Sequence, residues 1–435
     1  MLKDKPVLRR IAVCALTLVV LWVTFVALMT LTALIPTSAI ESNMHTASEF
    51  YQTADMFENE EDNAPSLIHH YADAVLLNII WNLDSDAPLS SAMDSAYYQS
   101  EFLTQGRGLH YSVNMGGEAN TSYARYWHGM AAIVKPLLTI MGVNGIKIVF
   151  AVALAVGIGL YFVLAIRRKL YALAISSAVG LVICRVWVVP MCIEYVSCFL
   201  LMLVFSCIVL AKGDRLKNEM ALFVVAGACT CFFDFLTCEV LTLGVPLVCL
   251  MLVKGEDIKK TFFTVFRCCA AWLTAYVLTF AAKWCLASVV LGRSMVDIAL
   301  TNGADRLAGT ISETTGVFQP TVAIATNLYM IFPFSLISSS QGIWALFLVF
   351  CLALFCVWYL FRKEKGEVGN APLMFIVALI PLVRYFVVNN HAALHPFMTY
   401  RSLLITVIAT TLGMVGCVTF KKQAKKSKSP GRNGK

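Results

Sequence analysis

Ile11–Pro36 reads IAVCALTLVVLWVTFVALMTLTALIP, twenty-six residues without a charged side chain. A hydrocarbon layer about 30 Å thick is crossed by roughly 20 helical residues at 1.5 Å rise. The run is long enough to cross it and longer than a secretory h-region of roughly 7–15 residues. No small-x-small cleavage site follows, so it reads as an uncleaved signal anchor. The remainder of the chain has the same character. Of 435 residues, 59% are hydrophobic and 14% charged, with a mean hydropathy of +0.74. A water-soluble domain carries about a quarter charged residues. Lipid is the solvent for this chain.

Nine further apolar runs follow, at 144–166, 170–189, 191–211, 219–237, 239–253, 262–288, 342–361, 371–388 and 402–420. Lipid offers no partner for a backbone amide, so each run should be helical. The expected fold is an all-α polytopic membrane protein with about ten transmembrane helices.

Charge sets the orientation. Segments 1–10, 167–169, 212–217, 254–260, 362–365 and 421–435 hold 23 of the 34 Lys and Arg residues. Residues 37–127 carry 13 acidic residues and two basic ones, Arg107 and Arg125. Lys and Arg near span ends favour the cytoplasmic side. Both termini are therefore expected in the cytoplasm, in a plasma membrane of bacterial type. The net charge of +8 follows from topology, and the basic tail points to membrane lipids as neighbours with no nucleic-acid partner.

Four regions result: 1–36 as N-terminus and anchor, 37–143 as an extracytoplasmic loop, 144–420 as a helical bundle with a second outer loop at 289–341, and 421–435 as a basic tail. Within the first loop, Ala74–Trp81 and Gly129–Gly142 are apolar but too short to span, and read as helices lying along the interface. Asp84–Tyr98 and Gly106–Thr121 are rich in Ser, Asp, Asn and Gly and read as turns and mobile loop. Pro320–Ile337, broken at Pro333, is a similar interfacial piece in the second loop. None of the 15 cysteines falls in 37–127, which speaks against a disulfide framework. They read as small buried hydrophobes.

A charge inside a spanning helix costs about 2.5–3.5 kcal/mol even on lenient scales. Seven residues raise that question: Arg185, Glu194, Asp234, Glu239, Arg267, Lys283 and Arg384. All but Arg267 fall near the outer ends of their spans. Singly, such residues snorkel or pair. Together they point to a polar cavity opening at the outer leaflet. His69 and His70 are adjacent and diverge on a helix, which argues against a metal pair. His391 and His395 share a face if helical, although Pro396 makes a turning chain equally compatible.

Tyr126–Phe150 reads YWHGMAAIVKPLLTIMGVNGIKIVF. This resembles the end of the first outer loop in the GT-C superfamily of membrane glycosyltransferases, where an aromatic–small–Pro pattern precedes a short helix, a Gly turn and the second span. The layout of anchor, long outer loop and bundle of hairpins is similar too. Phe232–Pro246 (FFDFLTCEVLTLGVP) and Asn389–Leu403 (NNHAALHPFMTYRSL) resemble stretches of uncharacterised bacterial multispan proteins. The resemblance implies transfer of a sugar from a polyprenyl-phosphate donor to a cell-envelope acceptor on the outer face. It also implies an acidic first-loop residue as base or metal ligand, with a divalent ion as a candidate cofactor. Members carry a compact acidic pair soon after the first span, whereas Glu41, Glu49 and Asp55 are spread out here, and Glu58–Asp62 reads as a solvated run.

The candidates for the acidic role are Asp55 and Asp73, the latter at the start of an apolar helix. Arg125, His128, Arg185, Asp234, Lys283, Arg384, His391, His395 and Arg401 are candidate phosphate or sugar contacts, since Arg offers phosphate two parallel hydrogen bonds. No metal ligand set is expected from spacing. Two other readings remain open: a transporter or flippase for a lipid-linked or anionic solute, and a non-catalytic scaffold that binds a partner through its outer loop.

Overall fold

The structure is a computed structural model that describes residues 6–59, 67–308, 319–331, 340–362 and 368–418. Glu60, Glu61 and Asp62, Pro333 and the basic tail 421–435 lie outside the described residues.

After α1 (Pro6–Ala33) comes a cap formed by α2 (Glu41–Thr53), β1 (Phe57–Asn59), β2 (Leu67–His69), α3 (His70–Trp81), α4 (Pro88–Asp94), α5 (Gln105–Met115) and α6 (Ala131–Leu138). The bundle follows with α7 (Val143–Arg167), α8 (Tyr171–Ile183), α9 (Ile193–Lys212), α10 (Glu219–Phe233), α11 (Leu241–Lys254) and α12 (Ile258–Leu291). Then come α13 (Met295–Ala308), α14 (Gln319–Ile331), α15 (Ser340–Phe361), α16 (Ala371–Ala378), α17 (Ile380–Val387), α18 (Asn389–Leu394), α19 (Pro396–Thr399) and α20 (Leu404–Cys417). β1 and β2 pair antiparallel with Phe57 opposite His69.

Among the described residues, five helical stretches are long and apolar enough to cross a membrane: Leu8–Ala33, Val143–Arg167, Ile193–Arg215, Ile258–Leu291 and Pro396–Cys417. The chain is an all-α, multi-pass membrane protein. Its peripheral helices expose what a soluble protein would bury: Leu16 on α1 is 66% exposed and Val156 on α7 is 65% exposed. Lipid tails cover such surface without the cost that water would impose. α11 is the opposite case, buried continuously from Leu241 to Met251, and it packs against α9 at the centre of the bundle.

Several apolar runs yield shorter helices than their length suggests. α8, α10 and α11 have 13, 15 and 14 residues, or about 20–23 Å each. α8 ends where Arg185 takes a left-handed φ of 50° and a 3-10 turn, Val186–Met191, carries the chain onward. α10 ends at Asp234, whose Oδ2 accepts from the Thr237 amide at 3.0 Å and whose Oδ1 accepts from the Thr237 hydroxyl. An Asx-type turn of this kind competes with helix. The run 371–388 splits into α16 and α17 at Leu379, two residues before Pro381.

The cap differs from expectation in two ways. α3 is an interior helix: ten of its residues, His70 and Ala72–Ile80, are buried, and it packs on α5, α6 and α9. And the two segments expected as turns and mobile loop contain α4 and α5. Thr104 caps α5 by accepting from the Arg107 amide at 3.4 Å, and Gly116, at φ +73°, closes it. Burial of Leu109 and Val113 against α2 and α3 supplies the rest. Gly129 then lets the cap touch the bundle: its amide donates to the Phe232 carbonyl at 2.8 Å, so close that a Cβ would collide with Phe232.

Candidate functional site

The cap meets the bundle at the first turn of α9. Asp73, in the first turn of α3, is fully buried. Its Oδ2 receives Lys147 Nζ at 2.8 Å and the Tyr51 hydroxyl at 3.1 Å. Its Oδ1 accepts from the Ile193 amide at 2.8 Å, one of the free N–H groups that open α9. Lys147 also donates to the Tyr51 oxygen at 3.2 Å. A carboxylate buried this deeply persists only with such partners. Asp73 thus ties α3 to α2, α7 and α9. Asp55, by contrast, is exposed in the turn between α2 and β1.

Glu194, the second residue of α9, points into the same region and is 2% exposed. Among the described residues no hydrogen bond or ion pair reaches its carboxylate, and the charges acting on it are Asp73 and Asp234. Beyond Asp234 lies Glu239, which accepts from Arg384 Nε at 2.9 Å and from Arg384 Nη2 at 3.3 Å. Arg384 Nη2 also donates to the Leu236 carbonyl at 2.9 Å, and His391 Nε2 sits 2.9 Å from the same oxygen. Leu236 takes a φ of +71°, uncommon for a side chain of its shape, so its carbonyl is aimed at both groups. Among the described residues, Arg384 Nη1 and the Tyr276 hydroxyl are buried without a hydrogen-bond partner. Tyr276 lies within electrostatic reach of Glu239, Asp234 and Arg384.

A third group flanks α9 on its other side. The His69 amide donates to Cys192 Sγ at 3.0 Å. The His69 ring stacks on Tyr195 and lies 5.3 Å from Phe397. Burial, with His395, His70 and Arg401 nearby, pushes this imidazole down to about 3, so it is neutral at ordinary pH. Arg401 is buried over the Tyr195 and Tyr400 rings at 4.7 and 5.0 Å and donates to the Phe397 carbonyl at 2.9 Å. The His391 and His395 rings are 4.7 Å apart, although α18 ends between them. His70 turns the other way, onto Phe50 and Tyr51.

Three of the remaining candidates sit apart, at the α12 end of the cap. Lys283 Nζ donates to the carbonyls of Ala92 and Met93 at 3.2 and 2.9 Å, closing the C-terminus of α4, and lies over Trp127. Arg125 stacks on Tyr123 and Tyr126. His128, held at φ +54°, meets the Tyr123 carbonyl at 3.2 Å. Burial and nearby Lys283 push His128 down to about 3. Arg185 is half-buried beside the 3-10 turn.

The structure therefore gathers Asp73, Asp234, Arg384, His391, His395 and Arg401 around the cap-side ends of α9 and α11. It leaves Asp55 outside and puts Lys283, Arg125 and His128 in a separate joint. Tyr51 and Lys147 were not among the candidates, because nothing local marks a residue whose partner, Asp73, lies 22 or 74 positions away. Glu194 and Glu239 carried a signal, the cost of charge within a span, but no motif. No group of three His, Cys, Asp or Glu able to hold a metal ion occurs among the described residues. No family model matches the chain, and neither a curated protein nor a solved structure matches it.

Proposed function

We propose that the chain crosses a plasma membrane ten times with both ends in the cytoplasm, and that its cap-side cluster is an outer-face site for a polar group carried by a lipid. The reading supported best is transfer of a sugar from a polyprenyl-phosphate donor to a cell-envelope acceptor. The observation that carries it is the unfilled bonding capacity beneath the cap. Among the described residues the buried Glu194 carboxylate has no donor, while Arg384 Nη1 and the Tyr276 hydroxyl are buried donors without an acceptor. Native interiors rarely leave such groups unmet. A ligand with both hydroxyl and phosphate-like oxygens would satisfy all three.

In this reading the base role falls to Glu194. Asp73 spends its lone pairs on Lys147, Tyr51 and Ile193 and positions the start of α9, whereas Glu194 is free to take an acceptor hydroxyl's proton. Arg384, already oriented by Glu239, would face the leaving phosphate. The test is Glu194→Gln, which keeps shape and removes basicity. With purified full-length protein and a polyprenyl-phosphate sugar, transfer should fall by about 10²–10⁴-fold while thermal stability is kept or raised. Wild-type rates in Glu194→Gln would remove the assignment. If the wild type moves the lipid-linked sugar across a liposome and forms no glycosidic bond, the same cluster serves a transporter.

A further inference from the structure

A separate feature lies at the opposite end of the bundle. α1 and α12 run side by side with an apolar gap between them, lined by large and small side chains alike. α12 presents Ala270, Ala271, Thr274 and Ala275 there, and α1 presents Cys14 and Ala15. The result is an apolar recess of about 450 Å³ floored by Met220 and Val224 of α10. It meets a second apolar recess of about 880 Å³ at Trp22, whose Nε1 donates to Thr279 Oγ1 at 3.0 Å across the two helices. The second recess ends under Leu89 of α4. Together they follow α1 from Ile11 to Leu31, roughly 30 Å of helix, the thickness of a hydrocarbon layer.

The smaller recess has one charged lining residue, Arg267. Its side chain is 43% exposed, yet Nε is buried without a partner among the described residues. Nη2 donates to Thr264 Oγ1 at 3.3 Å and lies 3.9 Å from Glu219. Glu219 does not require it, since Lys254 stands closer at 3.4 Å. Arg9, Arg10, Lys259 and Lys260 are all exposed around the same end. A cation at the mouth of a dry groove, ringed by further cations, complements an amphiphile with an anionic head and a hydrocarbon tail.

We infer that this groove is a binding site for one anionic phospholipid, its phosphate on Arg267 and one acyl chain lying between α1 and α12. This goes beyond the proposed function and is independent of it. The full-length protein, purified in a mild detergent, is titrated with phosphatidylglycerol or phosphatidylcholine, and bound lipid is counted by native mass spectrometry. The wild type should retain one phosphatidylglycerol in preference to phosphatidylcholine. Arg267→Gln should weaken that binding about tenfold or more, the worth of a hydrogen bond to a charged group. Ala270→Trp, which fills the recess from an exposed position, should abolish it. Equal retention of the two lipids by the wild type overturns the inference, as does unchanged binding in both variants. So does a lipid-free dimer that Ala270→Trp converts to monomer, since a second copy would then be the occupant.

Discussion

The two ends of the α10–α11 hairpin handle the same problem, a carboxylate at a helix end, in different ways. At the α10 start, Glu219 is reached by Lys254 at 3.4 Å and by Arg267 at 3.9 Å, with Lys254 and Arg267 partly exposed. At the cap side, Glu239 is held by Arg384 at 2.9 Å, with both side chains almost wholly buried. The first arrangement is a loose network in which Glu219 is buried but its two cations stay partly open to solvent. The second removes two charges from solvent and compensates them by geometry alone. Proteins retain charges in so costly a setting chiefly where recognition or chemistry needs them.

The difference is open to measurement. Arg384→Met should have the largest effect, because it strands Glu239 in a buried site; about 3–5 kcal/mol of stability should be lost in denaturant titrations in detergent. A loss below 1 kcal/mol would mean that water already reaches Glu239. Lys147→Met comes next. Asp73 would keep Tyr51 and the Ile193 amide, so the loss should be nearer 1.5–3 kcal/mol, the worth of one hydrogen bond to a charged group. Hydrogen exchange should then rise in the first turn of α9, and unchanged exchange would show that Asp73 does not anchor it. Glu219→Gln, at the other end, should cost under about 1 kcal/mol. If it matched Arg384→Met, the contrast between the two ends would collapse. Asp55→Asn should change stability by no more than about 0.5 kcal/mol, and any loss of transfer would return a catalytic role to the exposed turn.

How far the sequence reveals this depends on distance along the chain. The membrane class followed from composition, and the placement of costly charges toward one end of the bundle followed from their positions near the ends of their apolar runs. α4 and α5 were hidden because their Ser, Asn and Gly content resembles loop. What makes them helical is tertiary: Lys283 closing α4, and α2 and α3 burying one face of α5. α3 was apolar enough to suggest an interfacial position, and apolarity alone does not tell lipid from protein as a neighbour. For Asp73 the residue was visible and its environment was not. Nothing around position 73 announces Lys147 or the start of α9.

The same anchor has a consequence for how the protein is made. Asp73 leaves the ribosome 120 residues ahead of Ile193, its partner at the head of α9. At roughly 5–20 residues per second, that is on the order of 10 seconds of synthesis. Through that interval the carboxylate lacks the amide that completes its coordination, and for most of it Lys147 is also missing. The cap's final docking therefore waits for α7 and α9, and the nascent chain carries an incompletely satisfied acid until the third long helix arrives.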